Sequence, residues 1–143
     1  MILNVDYIKK IAKDIGVDPN NVYSSDGFDA IITLLKSSRD DSFPKIIIEE
    51  ANSGFFSSIP GGMETSTISI WIMGRVAMNS ANNITFANMK VILLDLLKIL
   101  IRYCEELSIN INDIPYFKRM AAMNNVGYEL MITINKNISL DYE

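Results

Sequence analysis

Histidine is absent from this chain of 143 residues, and cysteine occurs once, as Cys104. Those two absences exclude a Ser-His-Asp triad, a Cys-His pair, an HExxH zinc site and an intrachain disulfide. Proline is held to 4 residues and glycine to 7, too few for a collagen-like or linker-like chain. Positive charge is also short: 13 Lys and Arg against 17 Asp and Glu leave a formal charge of −4. That balance removes any general electrostatic hold on nucleic acid or an anionic bilayer, local patches aside. The most apolar stretch, residues 91–101, is too short to span a bilayer and carries Asp95 and Lys98. Residues 1–6 lack the basic start and apolar core of a signal peptide, so the expectation is a soluble protein of the reducing cytoplasm.

Apolar residues are plentiful. They make up 49% of the chain, enough for one core, and a single domain over residues 1–143 is expected. Residues 1–43 read as a helical N-terminal part. Ile8, Ile11, Ala12 and Ile15 recur at helical spacing before Gly16, and Phe28, Ile31, Ile32 and Leu35 supply a second helix that Asp26 can cap, with a turn-like stretch between. The pattern changes at Pro44. Ile46, Ile47 and Ile48 read as a strand, and residues 51–62 as a Ser- and Gly-rich loop carrying Phe55 and Phe56. A long strand is expected over residues 65–78, with Ile68, Ile70, Ile72 and Val76 on one face. The other face, with Thr67, Ser69 and Arg75, is polar except at Trp71 and Met73.

Residues 86–106 read as the longest helix, with a narrow polar stripe of Asn88, Asp95, Lys98, Arg102 and Glu105. Its apolar groups run round more than half the circumference, so besides a sheet it needs a second cover, either the N-terminal helical pair or another subunit. Ile114 to Met120 reads as a brief helix with Pro115 at its first position. Asn124 to Gly127 is a turn signal, and residues 128–142 form a strand or hairpin. Its apolar face carries Tyr128, Leu130, Ile132 and Ile134. The expected architecture is α+β: a mainly antiparallel sheet, the long helix packed across it, and an N-terminal helical pair. The expected core is Ile68, Ile70, Ile72, Leu94, Leu97, Ile101, Leu130, Ile132 and Ile134.

Chemistry finds few footholds. Asp40-Asp41 and Glu49-Glu50 sit where an exit or a strand end needs solvated charge, and in a strand Glu49 and Glu50 point to opposite faces. Asp18, Asp26 and Asp29 lack the ligand spacing of a calcium loop. Pro60-Gly61-Gly62 lacks the phosphate-loop pattern. Ser57, Ser58, Ser66 and Ser69 have no base partner, and Arg102, Glu105 and Glu106 give Cys104 no net activation. No catalytic residue, metal or cofactor is expected. From residue 46 onward seven basic residues face ten acidic ones, which makes a basic groove round Arg75, Lys118 and Arg119 improbable.

Surplus apolar surface stands out instead. Trp71 and Met73 interrupt a polar strand face, Phe55 and Phe56 lie in an expected loop, and Tyr116-Phe117 adjoin Met120 and Met123. Aromatic residues, methionine and arginine are enriched at buried protein contacts. The expected protein interface is therefore Phe55, Phe56, Trp71, Met73, Arg75, Tyr116, Phe117, Lys118 and Arg119, with the basic members meeting acids on a partner.

This order of parts resembles the small head-to-tail connector proteins of tailed bacteriophages, above all the tail-terminator and tail-completion group. The resemblance lies in a helical start, a short strand, a loop with Phe55-Phe56, the strand at 65–78, the long helix and the closing strand. It implies a homo-oligomeric ring in the virion neck or tail, assembled in the host cytoplasm, joining or capping tail components. By the same resemblance Phe55 and Phe56 would reach an adjoining neck or tail protein, and Thr67, Ser69 and Trp71 would help line the ring. DNA would pass through the lumen without being held by its mildly acidic wall. The other readings of the residues are a non-viral adaptor or regulatory domain that binds a protein through the Trp71 face, and a small enzyme using scattered acids.

Overall fold

The computed structural model describes residues 4–37, 43–49, 54–56, 63–77, 83–103, 107–118 and 123–137. Asn4 starts α1 (Val5–Ile11) by accepting the Tyr7 N–H on its side chain, 3.0 Å away. The helix tightens into a 3-10 turn, Ala12–Ile15, and stops at Gly16, whose φ of 81° is left-handed. A second 3-10 turn, Pro19–Asn21, opens on Asp18, which caps the Asn20 N–H.

The strand β1 (Val22–Ser25) follows, then α2 (Phe28–Ser37) and β2 (Lys45–Glu49). β1 and β2 are parallel neighbours, with Val22 opposite Ile46. A hairpin cannot join parallel neighbours, so the link crosses a sheet face and carries α2 with it. Next come β3 (Gly54–Phe56), β4 (Met63–Ala77), α3 (Asn83–Tyr103), β5 (Leu107–Lys118) and β6 (Met123–Asn137).

The sheet runs β1-β2-β4-β6-β5, with β3 also paired to β4. β1–β2 is its parallel pair and the other pairings are antiparallel, so this α+β sheet is mixed. β4 is the spine. One edge pairs with β6 from Met63 opposite Asn137 to Ala77 opposite Met123, while β2 and β3 both pair with β4 as well.

Strand parity sorts the residues into two cores. Ile46, Ile48, Ile68, Ile70, Ile72, Tyr128, Leu130 and Ile132 meet Met89, Ile92, Leu93, Leu96 and Leu100 of α3, with Ile8, Ala12 and Ile15 beside them. Phe86 stacks on Tyr128 with ring centroids 4.7 Å apart. Gly74 lets the helix approach: a Cβ there would stand 2.6 Å from Thr85 Cγ2. On the opposite face α2 lays Ile31 and Leu35 over Ile47, Trp71 and Met73.

Several expectations are corrected. The stretch between the first two helices contains β1, a strand too short and too polar to show a period. Phe55 and Phe56 lie on β3, not in a loop. Ile114 to Lys118 is extended in β5, not helical, with the register irregular between Ile114 and Phe117. Pro115 fits there because an edge strand at a bulge tolerates a missing N–H. Asn124 to Gly127 is strand rather than turn. Met78, Cys104 to Glu106, Arg119, Met120 and residues beyond Asn137 lie outside the described residues. Leu94 and Ile101, expected in the core, are exposed, and Leu97 is half-buried. The reason is angular: at 3.6 residues per turn they point away from Leu93, Leu96 and Leu100. Ile134 is placed by register alone, opposite Ser66.

Candidate assembly surfaces

The apolar interruption of the polar strand face has an occupant within the chain. Trp71 is 7% exposed and Met73 is fully buried, both beneath α2. The expectation that these two stand free for a partner is thereby corrected, because the β1–α2–β2 crossover brings a helix to that face.

Arg75 belongs to the same arrangement. Its guanidinium donates to the Leu35 carbonyl oxygen and lies 4.3 Å from the centroid of the Phe43 ring. Lys45, wholly buried, donates from Nζ to the Leu34 carbonyl oxygen at 3.2 Å and sits 4.8 Å from the ring centroids of both Tyr23 and Phe43. Two cations thus meet carbonyls in the last turn of α2, where the helix dipole is negative and main-chain acceptors lack intrahelical donors. Their aromatic neighbours add cation–π attraction. This explains a buried lysine structurally, and no substrate is needed for it. Asn125, also buried, lies opposite Arg75 in the β4–β6 register. Its side-chain polar atoms have no hydrogen-bond partner among the described residues.

The other expected interface residues separate. Phe55 and Phe56 pair in register with Thr65 and Glu64 beside the spine strand. Tyr116, Phe117 and Lys118 lie at the far end of β5, with Phe117 opposite Asn125 and Lys118 opposite Asn124. Of the acid pairs, Glu49 is half-buried at the end of β2 opposite Ser69, while Asp40, Asp41 and Glu50 fall outside the described residues. Among the described residues no three His, Cys, Asp or Glu side chains gather as a metal site would require.

No protein-family model and no curated protein matches this chain.

Two further surfaces carry more weight, the first missed by sequence reasoning and the second anticipated only as the surplus apolar circumference of the long helix. The first is β5, which pairs with β6 alone among the described residues and so leaves its other edge open. Ser108, Asn110, Ile111, Asn112 and Asp113 are exposed along it. The Ile/Asn alternation from residue 109 to 112 was the available signal. On the part of the Trp71 face that α2 does not cover, Thr67, Ser69, Glu129, Met131 and Thr133 are half-exposed, and Asn112 donates to Glu129 at 3.2 Å. The second is the outer side of α3, where Ile84 (68%), Val91 (59%), Leu94 (45%) and Ile101 (61%) face water. Their own three-and-four spacing was visible, but it lies within a run so apolar that one helical stripe cannot be told from another. No helix among the described residues is long and apolar enough to cross a membrane.

Proposed function

We propose that this chain is a non-enzymatic structural subunit that builds a homo-oligomeric ring, of the kind that joins or caps tail components in the neck or tail of a tailed bacteriophage. The observation that carries the assembly reading is the open edge of β5. Ahead of Pro115 and the register irregularity, residues 107–113 of this edge strand present main-chain donors and acceptors that no other described strand pairs on that side. Natural proteins normally blunt such an edge with lysine, proline, a bulge or a cover. Between Leu107 and Asn112 it carries no charge at all. Pairing that edge with a neighbouring subunit extends the sheet from one copy to the next, and a head-to-tail contact that closes gives a ring. The half-exposed hydroxyl and amide face beside it, bearing Glu129, suits a wall along which DNA passes without being retained. The virion setting rests on the resemblance of element order alone.

Light scattering at graded concentrations, with electron micrographs of the same samples, tests this reading. A closed species with a central channel is expected. Ile111→Lys, which puts a charge on the open edge while leaving the core intact, is expected to reduce the species to smaller units. A wild-type protein that stays monomeric at every concentration and in particle preparations overturns it.

A further inference from the structure

The inward seam of α3, Met89, Leu93, Leu96 and Leu100, is filled by the sheet. Directly opposite runs a second seam, Ile84, Ala87, Val91, Leu94, Lys98 and Ile101, whose intervals alternate three and four. That is the spacing with which one helix meets another. All six side chains are exposed, so both internal cores are complete without them.

The seam is complementary to itself in reverse. Laid against a second copy running the other way, Ile84 meets Ile101, Val91 meets Leu94, and Ala87 meets Lys98. The small alanine leaves room for the lysine stem, whose ammonium passes to solvent. The centre of these pairings falls within one residue of the midpoint of α3, so two 21-residue helices overlap for nearly their whole length, roughly 30 Å. Charge selects the same direction. Side by side in parallel and in register, the two Lys98 side chains, which lie on the seam itself, would confront each other. Antiparallel, the two Lys98 groups stand roughly 16 Å apart along the axis, Asp95 comes beside Asn88, and Lys90 beside Leu97. Asp95 also lies 4.0 Å from Lys98 within each copy and offsets its charge.

We propose that a second copy of this chain docks on α3 in an antiparallel, two-fold contact. The proposal rests on the reading that the chain self-assembles, but it uses a different surface from the β5 edge.

Sedimentation of wild type and Leu94→Glu at matched concentration is the test. Leu94 is nearly half exposed, so far-ultraviolet dichroism and the urea midpoint should hold, while the dissociation constant of the two-fold pair rises at least about tenfold. Register is read by cross-linking in a Cys104→Ser background. Ile84→Cys and Ile101→Cys proteins should form a disulfide-linked pair when mixed and not when oxidised alone. Cross-linking of Ile84→Cys by itself would mean a parallel pair and overturn the proposal. So would unchanged association of Leu94→Glu where Ile111→Lys disrupts it, a result that leaves self-assembly standing. A wild-type monomer at all concentrations overturns both.

Discussion

Trp71 shows how one residue changes meaning with its cover. Beneath α2 it is a core side chain, so Trp71→Ala is expected to lower stability by about 3–5 kcal/mol, in the range of Ile70→Ala at about 2–5 kcal/mol. Urea unfolding should move the midpoint of both at unchanged slope. Gly127 is constrained by its neighbour strand: a Cβ there would lie 1.8 Å from the Ile72 carbonyl oxygen. Gly127→Ala must push β4 and β6 apart, at a cost on the order of 2–3 kcal/mol by the same assay. Tyr128 carries a pH signature, because burial, and then the negative charge of Asp113, raise its pKa above the usual tyrosine value. The folded state therefore holds that proton more tightly than the unfolded chain. Its contribution is complete below about pH 10 and is lost as pH rises through the folded value. Tyr128→Phe should flatten the alkaline fall in stability relative to wild type, measured as urea midpoints on either side of pH 10.

At the scale of elements, α2 depends on residues far away in sequence. Lys45 and Arg75 close its last turn from β2 and β4. Lys45→Met keeps most of the packing but leaves the Leu34 carbonyl short of this donor and removes the attraction to Tyr23 and Phe43. A loss of about 1–3 kcal/mol is expected, together with faster hydrogen exchange of the α2 amides. None of this was legible in the sequence, where Lys45 follows Pro44 and reads as an ordinary solvated flank. Strand parity was legible, because a period of two survives wherever one face is buried: Ile68, Ile70, Ile72, Leu130 and Ile132 all lie under α3 as their spacing requires. β1 was illegible because four residues, two of them serine, contain no period. The expected helix at Pro115 failed because proline serves equally well at a helix start and at an irregular sheet edge. Only the neighbouring strand decides between them.

At the scale of the whole molecule, the β5 edge and the outer side of α3 differ in kind. An edge that pairs head to tail propagates until it closes, whereas a two-fold helix contact saturates at two. The two surfaces share no residue, so their disruptions should be independent. Ile111→Lys alone is expected to leave two-fold pairs, Leu94→Glu alone to leave single rings, and the double variant to leave monomers. Mass photometry at one concentration separates the three outcomes. The candidate surfaces were partly legible as surplus apolar residues, but their location was not. Which surplus remains outside depends on where α2 lands, and the crossover that sends it to the Trp71 face begins with the unrecognised β1.

β4 is the spine of the sheet, yet its full-length partner β6 comes last in sequence among the described strands. On the ribosome, Ile68, Ile70 and Ile72 emerge well before α3 and β6 exist to cover and flank them. At ordinary synthesis rates of about 5–20 residues per second, that interval lasts on the order of several seconds. During it, the nascent chain displays a strand with an unpaired edge and a bare isoleucine face, the form most prone to join a neighbouring nascent chain. Yield of soluble protein should therefore depend on translation speed and chaperone supply, separately from the stability of the finished fold.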